Sequence, residues 1–288
     1  MRQQPSLSFE LFPPKSPAGE PAFAQCVEKL KALAPEFFSL TYGAAGSDQT
    51  RGENLVVALS DAQNLPVAAH ITAVGAPKAK INNLARRWAA SGVRRLVALR
   101  GDMPELGAAF QPHPQGYGDA ADLVAGLRRI ADFDISVAAY PESHPDSPSQ
   151  AADLDNLKRK LDAGASRAIT QYFFDAELFL RFRDRAKAAG ITQPLVPGIL
   201  PIHSFAQLES FSARCGASVP TWLKKRFYQL DQDPELRALV AASTAAELCR
   251  RLETEGVKHF HFYTLNRPAL TLAACRTLGF TPVLQEAA

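Results

Sequence analysis

Short apolar runs, rich in β-branched and aromatic residues, recur along the chain with longer polar-patterned stretches between them. They fall at 7–11 (LSFEL), 37–42 (FFSLTY), 67–74 (VAAHITAV), 95–99 (RLVAL), 135–140 (ISVAAY), 168–173 (AITQYF), 195–199 (LVPGI) and 259–263 (HFHFY), and they predict eight strands. The stretches between them carry a helical period. In 150–163, Leu154, Leu157 and Leu161 share one stripe and Gly164 ends it; 176–189 carries Leu178, Phe179, Phe182 and Ala186 before Gly190. Strand starts come about 30 residues apart, and a wider gap of roughly 60 before the last leaves room for two or three helices, including 235–255. Eight β/α alternations favour a closed parallel barrel, with a doubly wound open sheet as the alternative. No low-complexity tract or Pro/Gly/Ser linker divides the chain. The expectation is one α/β domain, a (β/α)8 barrel with extra helices before the last strand.

Composition narrows the class without naming a function. Of 288 residues, 47% are hydrophobic and 21% charged, enough for a large core and against global disorder. The 32 Lys plus Arg against 29 Asp plus Glu leave +3, too slight an excess to argue for nucleic acid. The start, MRQQPSLSFELFPP, has no apolar signal core, and no apolar run is long enough for a membrane span. Cys26, Cys215, Cys249 and Cys275 form no CxxC pair, which fits reduced thiols in a soluble cytoplasmic protein.

In a barrel of this kind the active site lies at the C-terminal strand ends. Polar residues stop the apolar runs there: Glu10, Thr41, His70, Arg100 with Asp102, Tyr140 with Glu142, Gln171, and Tyr263 with Asn266 and Arg267. Glu10 sits in FELFPP among Phe9, Leu11 and Phe12; apolar surroundings disfavour its charge and suit a proton donor near neutrality, the alternative being a rim pair with Lys15. LRGD at 99–102 offers a guanidinium, a flexible Gly101 and a carboxylate, or else a local Arg100–Asp102 ion pair. Asp153, Asn156 and Lys160 share one face of 150–163, where Lys160 and Arg159 could grip phosphate and Asp153 a ribose hydroxyl, unless the face is merely solvated. His144, on the proline-stiffened YPESHPDSP loop, could add a donor.

GxGxxG, Walker A and HExxH are all missing from the sequence. His259-Phe260-His261 begins the last apolar run, the wrong rim for a catalytic metal, so the six histidines read as core or surface groups and no metal is expected. Schiff-base chemistry is poorly served, since Lys158 and Lys160 fall on a helix and Lys258 precedes the last strand.

These segments together resemble the bacterial flavin-dependent 5,10-methylenetetrahydrofolate reductases over nearly the whole chain. The matching motifs are FELFPPK at 9–15, LTYGA at 40–44, LRGD at 99–102, DFDISVAAYPESHP at 132–145, DLDNLKRKLDAGASRAITQYFFD at 153–175, VPGILPI at 196–202 and GVKHFHFYTLNR at 256–267. The resemblance implies a β/α barrel holding FAD, with NADH or NADPH as electron donor and methylenetetrahydrofolate as acceptor, the two substrates received in turn. Its product would supply methyl groups for methionine synthesis. Glu10 would be the general acid and Asp102 the carboxylate near flavin and pterin. Thr41, His70, Arg100, Gly101, Asp102, Tyr117, Gly118, Tyr140, His144, Asp153, Asn156, Arg159 and Lys160 would line the FAD site. Gln171, Gln207, Phe211, Tyr263 and Arg267 would receive folate and nicotinamide, with Phe211 stacking on either.

The motif commonly read FEFFPP is FELFPP here, and the loop 103–116 has its own length and composition. The resemblance further implies a homo-oligomer, dimer or tetramer, and a chain without the C-terminal regulatory domain of larger relatives. The rival readings are another barrel flavoprotein, proline-dehydrogenase-like, and a folate- or flavin-binding protein without turnover.

Overall fold

Eight parallel strands pair in chain order and close on themselves. They are β1 (Ser6–Leu11), β2 (Phe37–Leu40), β3 (Val67–Thr72), β4 (Arg95–Leu99), β5 (Asp134–Ala139), β6 (Arg167–Tyr172), β7 (Leu195–Ile199) and β8 (His259–Tyr263), and β8 returns to β1 with Tyr263 opposite Glu10. The structure, a computed structural model, describes residues 4–41, 49–62, 65–103, 105 and 109–282. Ten helices stand among them: α1 (Glu20–Lys31), α2 (Gln49–Ala62), α3 (Lys78–Ala90), α4 (Ala120–Arg128), α5 (Gln150–Asp162), α6 (Ala176–Ala188), α7 (Phe205–Cys215), α8 (Thr221–Arg226), α9 (Pro234–Thr254) and α10 (Pro268–Thr277). The wide gap before the last strand holds α7, α8 and α9. The open-sheet alternative is thereby set aside. No helix among the described residues is long and apolar enough to cross a membrane.

Local chemistry explains where the helices start and stop. Asp119, Ser149, Asp175 and Ser204 each accept a backbone N–H of the first turn of α4, α5, α6 and α7, satisfying donors the helix leaves orphaned. Gly164 and Gly190 adopt positive φ (114° and 81°) at the two expected stops.

Alternation along the strands sorts the core. Leu7, Phe9 and Leu11 of β1 pack outward with the helices, as do Phe260 and Phe262 of β8, in one continuous cluster. Phe37, Ala68, Val97, Ile169 and Val196, from five strands, form a separate cluster. The intervening positions of β1, β3, β6 and β8 are polar at their C-terminal ends, and so Glu10, His70, Gln171 and Tyr263 share one cleft.

Strand limits differ from the expectation in one instructive way. The run 67–74 stops as regular strand at Thr72, yet Ala73 and Val74 still donate to Leu99 and Arg100 carbonyls at 3.0 and 2.9 Å. Tyr42, the end of the second run, residues 42–44 of LTYGA, and 104 and 106–108 of the 103–116 loop lie outside the described residues.

Candidate active site

A cleft of about 1630 Å³ opens over the C-terminal strand ends. Ten expected residues line it: Glu10, Thr41, His70, Gly101, Asp102, Tyr140, Gln171, Gln207, Phe211 and Tyr263. Its size exceeds the roughly 300–1,000 Å³ usual for one small ligand.

Glu10 projects into the cleft against His70, not Lys15; Oε2 lies 3.7 Å from His70 Nε2, with the side chains 14% and 8% exposed. Burial lifts the Glu10 carboxyl from 4.5 to about 8 and drops the His70 imidazole to about 3, so both are neutral near pH 7. Their neighbours leave polar atoms unused. His70 Nε2 and Thr41 Oγ1 are buried without a hydrogen-bond partner among the described residues, a cost of about 1–3 kcal/mol each unless a ligand meets them.

The backbone around Glu10 is held from the turn that follows β8. Thr264 donates its hydroxyl to the Glu10 carbonyl at 2.6 Å. Asn266 accepts from Phe12 N at 2.9 Å and donates to Phe12 O at 2.7 Å, clamping the FELFPP segment. Deeper in the barrel Ser8 bridges His259 Nε2 and His261 Nδ1 at 2.8 and 2.7 Å, while His259 Nδ1 sits 3.5 Å from Glu36. The HxH pair is thus joined through one hydroxyl.

In LRGD the local ion pair does not form. Arg100 bonds Asp146 at 2.7 Å, 46 residues away in sequence, with Phe110 under its guanidinium. Asp102 is left facing the cleft, and no cation pairs with it among the described residues. Gly101 has φ +83°, and a Cβ there would sit 2.5 Å from Val74 Cγ1, so both backbone and space require glycine.

The β5–α5 edge differs from the solvated face considered for the helix. Asp153 and Lys160 are buried, and Lys160 turns inward to donate to Ala138 O at 2.6 Å, which spends its ammonium on the barrel wall. Burial brings that ammonium down to about 8 and pushes the Asp153 carboxyl up. Arg159 is exposed and bonds Asp119, with Asn156 Oδ1 3.4 Å from it. His144 N–H reaches Asp153 at 3.3 Å, its Nδ1 accepts from Asp146 N–H at 3.0 Å, and its ring meets Tyr140 edge-on at 4.7 Å. Tyr117 stands apart from the cleft: it is buried against Gly126, its hydroxyl bonded to Asn82. Gly118 N–H caps onto Asp122 at 3.0 Å.

On the opposite wall, Tyr263 lies across Gly198, where a Cβ would come within 2.5 Å of its ring, and donates to Thr170 O at 2.7 Å. Gln171 Oε1 accepts from Tyr172 N–H at 3.0 Å, and Gln171 lines the cleft. Gln207 and Phe211 come from α7, Phe211 48% exposed. Arg267 immediately precedes α10, outside the cleft lining, though its charge, with that of Arg237, adds to burial in holding the lining His203 down to about 4. His203 and Arg214 were not anticipated as site residues. His203 was hidden because β7 is followed by apolar Leu200-Pro201-Ile202, giving no polar strand end to read, and Arg214 because it lies on α7, away from any strand end.

Comparison with known proteins shows which family the chain falls in. The family profile described as methylenetetrahydrofolate reductase matches residues 1–279. The 5,10-methylenetetrahydrofolate reductase of Pectobacterium carotovorum is 47% identical over 277 residues, 96% of this chain and 91% of that one. Its Escherichia coli counterpart is 45% identical over 281 residues, 98% and 93%. Among solved structures, a Clostridium thermocellum protein described as binding two copies of 5-methyl-5,6,7,8-tetrahydrofolic acid superposes with TM-score 0.65 at 16% identity, covering 96% and 94%, a likeness of fold. With the profile spanning almost the full length and relatives this similar, the chain belongs to the methylenetetrahydrofolate reductase family.

Proposed function

We propose that this chain reduces 5,10-methylenetetrahydrofolate to 5-methyltetrahydrofolate, with FAD as cofactor and NADH or NADPH as electron source, the two substrates using one face of the cleft in turn. The observation that carries the reading is Glu10: a carboxyl kept protonated near neutrality by burial, yet facing the cleft. The names of the bacterial relatives supply the substrate.

The residues present fit a flavin. The cleft is roomy, and the orphaned Thr41 Oγ1 and His70 Nε2 stand ready for polar ligand atoms. Thr41, His70, Gly101 and Tyr140 would hold its ring system, with Arg100, His144, Asp153, Asn156, Arg159 and Lys160 on the adjoining edge. When bound, FAD would supply the two-electron hydride chemistry that links nicotinamide to folate.

The chain's own work is placement, one proton and one charge. Glu10 gives its proton to the folate nitrogen whose departure opens the five-membered ring, and takes another from solvent once the cleft is clear. Asp102 faces the positive charge that ring opening creates and stabilises it. Phe211 stacks on the flat part of each substrate, and Gln171 and Gln207 offer amide groups to its polar edge. The test is turnover of purified, FAD-loaded protein with NADH and methylenetetrahydrofolate, read as 5-methyltetrahydrofolate by chromatography. Stoichiometric product supports the reading; NADH oxidation without it removes the folate assignment.

A further inference from the structure

We propose that Arg214 is an anion-binding residue of the cleft, holding the carboxylate or phosphate that a flat substrate stacked on Phe211 carries beside its ring. The inference rests on the proposed function and extends it to how substrates are chosen.

Arg214 and Phe211 are three residues apart on α7 and so share a face, one turn from each other. Both line the cleft, and the guanidinium carbon lies 5.0 Å from the Phe211 ring centroid. That cation–π contact fixes the direction of a long side chain which would otherwise sweep through solvent. The charge is also uncommitted. Arg87 and Arg100 are paired with Glu53 and Asp146, whereas no carboxylate pairs with Arg214 among the described residues. Glu209, the nearest acid in sequence, is bound to Lys224 at 3.0 Å. A planar fork, preoriented and unpaired, matches the oxygens of a carboxylate or phosphate.

Both proposed substrates present such a group next to a stacking ring. A folate carries glutamyl carboxylates on its aminobenzoyl ring, and a pyridine dinucleotide carries phosphates beside its bases. An aromatic face with a guanidinium one turn along recognises that shared chemistry: plane first, anion next to it.

The experiment compares wild type, Arg214→Gln and Arg214→Lys, all FAD-loaded, with monoglutamyl and triglutamyl methylenetetrahydrofolate and with NADH and NADPH. Arg214→Gln should raise KM about three- to tenfold for at least one substrate pair, with kcat and melting temperature unchanged and with the salt dependence of KM reduced. Arg214→Lys should recover part of the loss. A rise for the folates, larger for triglutamyl, identifies the carboxylates; a rise for the nucleotides, larger for NADPH, identifies phosphate. Unchanged KM for all four substrates in an active Arg214→Gln overturns the proposal while leaving the reductase reading intact. A wild type inactive on folate removes that reading, and the proposal with it.

Discussion

Glu10 Oε2 stands 3.7 Å from His70 Nε2, and the two side chains meet as neutral groups. Burial alone accounts for both displacements, the carboxyl rising to about 8 and the imidazole falling to about 3. An ion pair is therefore not what holds them; the cleft wall keeps a proton on the acid and off the base. A carboxyl in that state can donate at neutral pH without a charged neighbour.

The pH dependence follows from that sign. Glu10 holds its proton below about 8 and loses it above, so the folate half-reaction should fall about tenfold per pH unit on the alkaline side of pH 8. Nicotinamide oxidation needs no such proton and should lack this limb. The same group also costs stability: an unfolded chain releases the proton from about 4.5 upward while the folded one keeps it to about 8, so its contribution declines across that window. Stopped-flow rates of the two half-reactions from pH 6 to 10 check the first statement, and an identical limb in both would refute it.

Replacing Glu10 with Gln keeps the shape and removes the acid. FAD binding and NADH oxidation should persist, while the folate half-reaction should drop by about 10²–10⁴. Normal folate turnover by this variant would take Glu10 out of the mechanism.

No cation among the described residues pairs with Asp102, and Arg100 is committed to Asp146. In the proposed reaction its carboxylate faces the opened folate. Asp102→Asn should slow the folate step by about tenfold or more and leave FAD content near that of wild type. Equal rates for the two proteins would reduce Asp102 to a cleft-lining group without a part in the chemistry.

Asn266 bonds both the N–H and the carbonyl of Phe12, two residues after Glu10, from a backbone with φ +55°. Asn266→Ala leaves those groups without their partner and gives up a residue tolerant of the left-handed region. It should cost about 1–3 kcal/mol in urea unfolding, and it should lower the folate rate more than the nicotinamide rate because the Glu10 segment loosens. A stability loss with both rates lowered equally would separate the clamp from the acid.

The barrel was legible because its strands advertise themselves: β-branched and aromatic runs at a steady interval, each followed by a helical stripe and a stop such as Gly164 or Gly190. Much of the cleft was legible for a related reason. A polar residue ending an apolar run must leave the core at a known rim, and Glu10, His70, Gln171 and Tyr263 do so together. What escaped was partnership over distance. Nothing local tells that Arg100 chooses Asp146 over Asp102, that Lys160 turns inward to the Ala138 carbonyl, or that Tyr117 spends its hydroxyl on Asn82. Spacing places side chains on a face; packing against the next element decides where each one points.

In the proposed reaction this cleft passes a hydride from nicotinamide to folate by way of a flavin. An anaerobic visible spectrum of the purified protein, taken before and after NADH and then after methylenetetrahydrofolate, tests it most directly. A flavin band should bleach with NADH and return with the folate. Bleaching that the folate fails to reverse, or a protein that takes up no FAD, would contradict it.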